Sequence, residues 1–254
     1  WDSRRERIFS VDQARIQDGG LRNSRQLKIT SVKLNDTSNN RLSFVYLTPQ
    51  PDVVLPQTLN YDYHRYEHHS TDINGEKHGV NPNLPAAGLA VSKKDYMNNF
   101  TLNCIPARMY IWIRKKEGER TQYDTDTFAR IEAINMTMGN TNLLNSASEQ
   151  DLWRMSVDNG LKMSYSEWHD YCGSVLCIDF GKNVGLPPNQ CVGMTTHTQL
   201  KFDITWTALN PDDQEYEINT LSVLPGVIEV QNGVISTSIG VVSSDDVIKS
   251  KTHE

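Results

Sequence analysis

The sequence predicts an all-β fold, an antiparallel two-sheet sandwich with short helical insertions. Three observations carry that expectation. Strand-like alternation recurs along most of the 254 residues while long helical periodicity does not. In Leu200-Lys-Phe-Asp-Ile-Thr-Trp206, the side chains of Leu200, Phe202, Ile204 and Trp206 point one way and those of Lys201, Asp203 and Thr205 the other, which describes a strand with one buried and one wet face. Near the end, Asn232-Gly233 separates two β-runs and tolerates the positive φ angles of a two-residue type I′ turn, so the last two strands should pair directly. A chain of this length buries a sizeable core, and one large domain is the default.

In order along the chain, residues 1–25 are charged and weakly periodic and read as a linker or N-terminal arm, residues 26–240 as the sandwich domain and residues 241–254 as a C-terminal tail. Strands are expected at Leu27–Leu34, Leu42–Thr48, Leu59–Glu67, Phe100–Cys104, Met109–Arg114, Phe128–Met138, Ser174–Phe180, Leu200–Trp206, Tyr216–Val223, Val227–Gln231 and Val234–Ser238. Ser70 to Asn99, with Pro82 and Pro85 and little apolar periodicity, reads as a long loop of the kind that binds a neighbour. Ser146-Ala-Ser-Glu149 is a capping box that opens a helix, Gly160 stops it, and Leu152, Trp153, Ser156 and Val157 share one side. Trp153 and Val157 are expected to be buried. A second capping box, Ser164-Tyr-Ser-Glu167, starts a short turn through Trp168 and Tyr171. These helical pieces should cover an end or flank of the sandwich. Ser243-Ser-Asp-Asp246 suggests a short terminal helix.

Composition narrows the function. With 25 basic and 31 acidic residues the net charge is −6, which disfavours a surface built to neutralise nucleic-acid phosphates or to bind nucleic acid directly. No apolar run reaches the roughly 18 to 20 residues that span a bilayer, and Trp-Asp-Ser-Arg-Arg-Glu-Arg is charged where a secretory signal is apolar. The chain starts at Trp1 without a methionine, so upstream material is expected. Cys104, Cys172, Cys177 and Cys191 lack C-x-x-C spacing and read as free thiols, three of them in or beside apolar runs. The sequons at Asn35, Asn99 and Asn135 read as chance matches, because Asn135 falls within a β-run.

The clusters that could carry chemistry have weak geometry. In Tyr61-Asp-Tyr-His-Arg-Tyr-Glu-His-His69, an extended strand puts His64, Tyr66 and His68 on one face and Glu67 and His69 on the other. His64 and His68 would then lie roughly 13 Å apart, too far to share an ion, so a solvated, tyrosine-rich strand end outweighs a metal site. Asp124, Asp126 and Glu132 could be paired carboxylates for glycoside hydrolysis, but Tyr123-Asp-Thr-Asp-Thr127 reads better as a polar lead-in to the strand at Phe128. Trp112 and Trp206 read as core aromatics on strands. Arg114-Lys-Lys-Glu-Gly-Glu-Arg120 mixes charges around a glycine and reads as a solvated hairpin tip. There is no nucleophile elbow, phosphate loop or dinucleotide fingerprint. We therefore assign no catalytic, cofactor-binding or metal-binding residue and expect no cofactor.

Several motifs taken in order carry identity. They are Phe44-Val-Tyr-Leu-Thr-Pro49, the tyrosine-rich Asn60–His69 run, Leu102–Ile113, the Phe128–Gly139 strand, the Ser148–Gly160 helix with Gln-Asp-Leu-Trp, and Gly173-Ser-Val-Leu-Cys-Ile-Asp-Phe-Gly181. Each is common alone. Their ordered occurrence over roughly Leu27 to Asp246 resembles the C-terminal half of double jelly-roll major capsid proteins of virophages, polinton-like viruses and Maverick-type elements.

The resemblance implies a jelly-roll sandwich of the viral capsid type and a structural, non-enzymatic role. Three copies would form a trimeric, pseudo-hexagonal capsomer of an icosahedral capsid around double-stranded DNA. Partners would be copies of itself, neighbouring capsomers, penton and minor capsid proteins, and its location the virion, assembled in the host cell. The Ser70–Asn99 loop and the Ser146–Tyr171 insertion would be the contact regions. Family members carry two sandwiches in tandem and this chain has length for one. It is therefore either the C-terminal part of a longer capsid protein or a single-jelly-roll relative such as a penton protein. A carbohydrate-binding jelly-roll module is the competing class, and a metal-dependent jelly-roll enzyme the third.

Overall fold

Alternation and turn chemistry together write nine strands and one α-helix into the described residues. The computed structural model describes Val45 and residues 57–73, 93–116, 128–145, 147–208, 215–231 and 234–240. The arm, the tail with its Ser243–Asp246 pattern, the strand expected at Leu27–Leu34 and all but Val45 of Leu42–Thr48 lie outside them. The elements are β1 (Thr58–Asp72), β2 (Lys93–Cys104), β3 (Arg108–Lys115), β4 (Arg130–Met138), β5 (Thr141–Leu144), α1 (Glu149–Asp158), a π-helical turn (Glu167–Tyr171), β6 (Val175–Asp179), β7 (Thr195–Thr207), β8 (Tyr216–Gln231) and β9 (Val234–Ile239).

The strands form two sheets, ordered β1-β8-β3-β6 with β9 also on β8, and β2-β7-β4-β5. First pairs with eighth, second with seventh, third with sixth and fourth with fifth, all antiparallel. That nested pairing is a jelly roll. The core lies between the sheets, where Leu200, Phe202, Ile204 and Trp206 of β7 meet Met109, Ile111 and Ile113 of β3. The alternation that predicted β7 is thus realised in packing.

Several expected boundaries move, for physical reasons. Tyr216–Val223 and Val227–Gln231 were expected as two strands, yet β8 runs unbroken through the Pro225-Gly226 that lies between them. On one side of β8 the pairing with β3 ends at Val223, and pairing with β9 starts only at Gly226. Pro225 sits in that gap, where a missing N–H disturbs a ladder least. Gly226 is needed because a Cβ there would stand 2.6 Å from the ring of Tyr63. The expected Ser70–Asn99 loop is shorter at both ends, since β1 continues to Asp72 and β2 begins at Lys93. Its interior lies outside the described residues. β5 was not expected. It is only four residues long, too short for alternation to register.

The helical insertion differs from the sequence reading in its capping residue and in how deeply its aromatic is buried. The N-cap of α1 is Ser148, paired reciprocally with Asp151, two residues beyond the expected Ser146, which lies outside the described residues. Both serines precede an acidic residue by three, but Glu149 is drawn to Arg130 (3.3 Å) and His169 (3.2 Å). The buried residues of α1 are Leu152 and Ser156, while Trp153 and Val157, expected to be buried, are half-buried at the margin of that face. Trp153 turns its Nε1–H to the carbonyl of Met163 and stands edge-on to Tyr165. The second box forms as expected: the backbone N–H of Ser164 donates to Glu167 Oε2, and that of Glu167 to Ser164 Oγ. Trp168, which follows it, is fully buried.

Candidate functional surface

The insertion closes one sheet edge. β6 is the outer strand of its sheet, and an uncovered strand edge offers free N–H and C=O groups to any passing strand. Here side chains take those groups. Trp168 Nε1 donates to the carbonyl of Val175, the Cys177 N–H donates to Ser156 Oγ, Asn159 Nδ2 donates to the Cys177 carbonyl, and the Asp179 N–H donates to Asn183 Oδ1. Lys182 Nζ in turn holds Asn159 Oδ1 at 2.9 Å. Gly173, at φ 85°, lets the chain pass the carbonyl of Phe128, since a Cβ would stand 2.1 Å from that oxygen. Ser156 was expected on the same side of the helix as Leu152 and Asn159 was given no role; what both do depends on a strand about twenty residues later, and no local signal announces it.

The two sheets differ on their outward faces. By register, the outward side of the β1-β8-β3-β6 sheet carries His64, Tyr66 and His68, then Val223 and Leu221, then Arg108, Tyr110 and Trp112. Arg108 makes a bidentate pair with Asp179, Nε at 2.5 Å and Nη2 at 3.0 Å. His68 Nε2 stands 2.9 Å from Asn219 Oδ1 and stacks on Trp112 with ring centroids 5.8 Å apart. Glu217 accepts from Arg114 and Ser70. Burial raises the carboxyl pKa of Glu217, but hydrogen bonds from Asn219, Arg114 and Ser70 outweigh it and hold the group below the usual range. A depression of about 460 Å³ opens on this face among Tyr66, Arg108, Tyr110, Asp179, Lys182 and Val223. The outward face of the other sheet is mostly polar, with Thr101, Gln199, Lys201, Asp203, Asn135 and Thr137 beside one exposed tyrosine, Tyr96.

Tyr, Trp and Arg together, with charges neutralised in pairs, are what the centre of a protein interface uses. Sequence reasoning missed this face. Trp112 was expected in the core and instead lies half-buried on the outside under His68. The signal was present in Arg108-Met-Tyr-Ile-Trp-Ile, where Met109, Ile111 and Ile113 alternate with polar and aromatic residues and take the core themselves.

The candidate chemical residues are not brought together. His64 and His68 share the outward face of β1, while Glu67 and His69 lie on the opposite face, with His69 against Phe100. Glu132 pairs with Arg130 and accepts from Thr207; Asp124 and Asp126 lie outside the described residues. Among the described residues no group of three or more His, Cys, Asp or Glu side chains stands close enough to hold a metal ion. No helix among them is long and apolar enough to cross a membrane. All four cysteines are free, with Cys104 and Cys177 buried. Burial pushes the Cys104 thiol up to about 11 and raises that of Cys177.

Comparison with known proteins agrees with this geometry. Residues 81–172 match the family model for the major capsid protein V20 C-terminal domain. A Sputnik virophage protein with the description "Putative capsid protein V20" is 24% identical over 239 residues, 82% of this chain and 38% of the relative, so the chain spans less than half of that relative's length. Among solved structures, the Sputnik virophage determined by cryo-electron microscopy superposes with a TM-score of 0.67 at 22% identity, covering 79% of this chain and 42% of the matched one. The mavirus major capsid protein crystal structure gives a TM-score of 0.61 at 12% identity, with 80% and 46% covered. By sequence and by fold, this chain is similar to the major capsid proteins of virophages, with the family-model match falling in their C-terminal domain.

Proposed function

We propose that the chain is the second jelly roll of a double jelly-roll major capsid protein and acts as a structural subunit of an icosahedral capsid enclosing double-stranded DNA. The observation that carries this reading is the coincidence of the C-terminal-domain match over 81–172 with a complete first-to-eighth nested sandwich. The arm over 1–25 leads into the sandwich of 26–240, and 241–254 is a tail. Three copies form a pseudo-hexagonal capsomer; neighbouring capsomers, penton and minor capsid proteins are the further partners, and the virion is the location.

A shell subunit works by keeping its shape and presenting faces. The buried core between two hydrogen-bonded sheets resists deformation, and the aromatic and arginine face of the β1-β8-β3-β6 sheet is the surface on which a neighbour packs. No side chain is given a catalytic, cofactor or metal role. The test is mass-resolved chromatography of the polypeptide that carries this chain. A stable trimer burying well over roughly 2,000 Å², as permanent assemblies do, supports the reading. A well-behaved monomer that retains a glycan moves the function to a carbohydrate-binding module.

A further inference from the structure

Sheet edges show how a chain expects to be met. Among the described residues, five strands form sheet edges, and four of them carry a recognisable guard against pairing. β6 is covered by the side chains of the insertion. β1 is lined with charges, among them Asp62, Arg65, Glu67 and Asp72. β2 begins with two lysines and an aspartate and breaks register twice, and β5 is four residues long beside a bulge. β9 has no such guard. Its sequence Val-Ile-Ser-Thr-Ser-Ile is rich in β-branched residues, holds no charge and no proline, and pairs with β8 without a break in register. Val234 and Ile235 are 69% and 68% exposed.

We propose that β9 is a docking strand for β9 of a second copy of this chain, antiparallel and centred on Thr237. Backbone phase fixes the register. Only two residues separate the paired Gln231 and Val234, which makes that pair the hydrogen-bonded one, and the Ser238 carbonyl lies against Gly226 of β8. Ile235, Thr237 and Ile239 therefore turn N–H and C=O outward. In an antiparallel pair about a two-fold axis, Thr237 opposes Thr237 of the second copy and Ile235 opposes Ile239, so every outward group finds a partner. The same register sets like faces side by side. Leu59, Tyr61, Ile228, Val230, Ile235 and Ile239 share one face of the β1-β8-β9 extension, and the second copy continues that apolar face across the axis. Charge selects the occupant: β9 and the short β5 are the only described strands without a charged side chain, so a charged strand would find no counter-charge here, whereas a second β9 brings none. The contact is distinct from the aromatic face above and does not depend on the capsid reading.

The experiment is sedimentation of the 254-residue chain over a concentration series, with three variants. Thr237→Pro removes an outward N–H and leaves the ladder to β8 intact, so it should weaken self-association roughly tenfold or more at unchanged thermal stability. Ile235→Lys, a charge placed at the edge, should weaken it similarly. Ser238→Pro removes an inward N–H and should instead lower thermal stability. If Thr237→Pro fails to fold, Ile235→Lys alone decides. Association of the unaltered chain in twos that both edge variants abolish supports the inference; a chain that stays monomeric, or a dimer that survives Ile235→Lys, overturns it.

Discussion

The serine at position 156 is the sharpest probe of how the insertion is built into the sandwich. Ser156 is 1% exposed and its hydroxyl has two partners, accepting from the Cys177 N–H at 3.1 Å and donating to the Leu152 carbonyl at 2.8 Å. In Ser156→Ala the Leu152 carbonyl keeps its helical backbone partner, but the Cys177 N–H is left buried without one. An unsatisfied buried donor costs about 1–3 kcal/mol, and the better helix propensity of alanine returns about 0.5 kcal/mol. A net loss of about 1–2 kcal/mol is expected, read as a lowered urea midpoint at unchanged slope. Tyr171→Ala, at a residue 73% exposed at the end of the π-helical turn, is the control and should stay within about 0.5 kcal/mol. If Ser156→Ala proves as neutral as the control, the β6 edge is not held by this hydroxyl and the account of the insertion as an edge cap is wrong.

Other outcomes follow from the same contacts. Trp168→Phe keeps most of the ring but leaves the Val175 carbonyl without its indole donor, and should cost about 1–3 kcal/mol in the same unfolding assay. Gly173→Ala should cost more than about 2 kcal/mol or prevent folding, because its Cβ would overlap the Phe128 carbonyl at a positive φ; a neutral result in thermal unfolding would show that the chain reroutes there. Since the folded Glu217 carboxyl pKa is lowered, its contribution to stability is present above the unfolded value and is lost as pH falls through the folded one. Glu217→Gln should therefore be less stable than the parent at neutral pH, with the difference shrinking as the solution is acidified, measured by urea unfolding across that range. Cys104, its thiol raised to about 11, should resist alkylation at pH 8 in the folded chain and react once the chain is unfolded, as mass spectrometry of labelled peptides would report.

How much of this was legible in the sequence depends on whether the signal is local. The alternation of Leu200 to Trp206, the Ser164–Glu167 box and the direct pairing of the last two strands each rest on neighbouring residues, and each is realised. The capping residue of α1 was not legible, because Ser146 and Ser148 each precede an acidic residue by three, while the contacts of Glu149 with Arg130 and His169 are tertiary. The continuity of β8 through Pro225-Gly226 depends on where β3 stops and β9 begins, a tertiary fact. The outward aromatic face was half legible: the alternation of β3 was plain, but tryptophan was expected on the core side when methionine and isoleucine already filled it. No periodicity could have suggested that Ser156 and Asn159 serve β6.

The central claim is that this sandwich is a building block of a shell, and imaging of the assembled material tests it most directly. The polypeptide that carries the chain should be produced with its partners and the resulting particles examined by cryo-electron microscopy. The account expects an icosahedral shell paved with trimeric tiles, in each of which a sandwich paired β1-β8-β3-β6 and β2-β7-β4-β5, with its helical insertion beside β6, fits the density of one upright unit. Particles that never form, while the polypeptide persists as a monomer retaining a glycan, would contradict it.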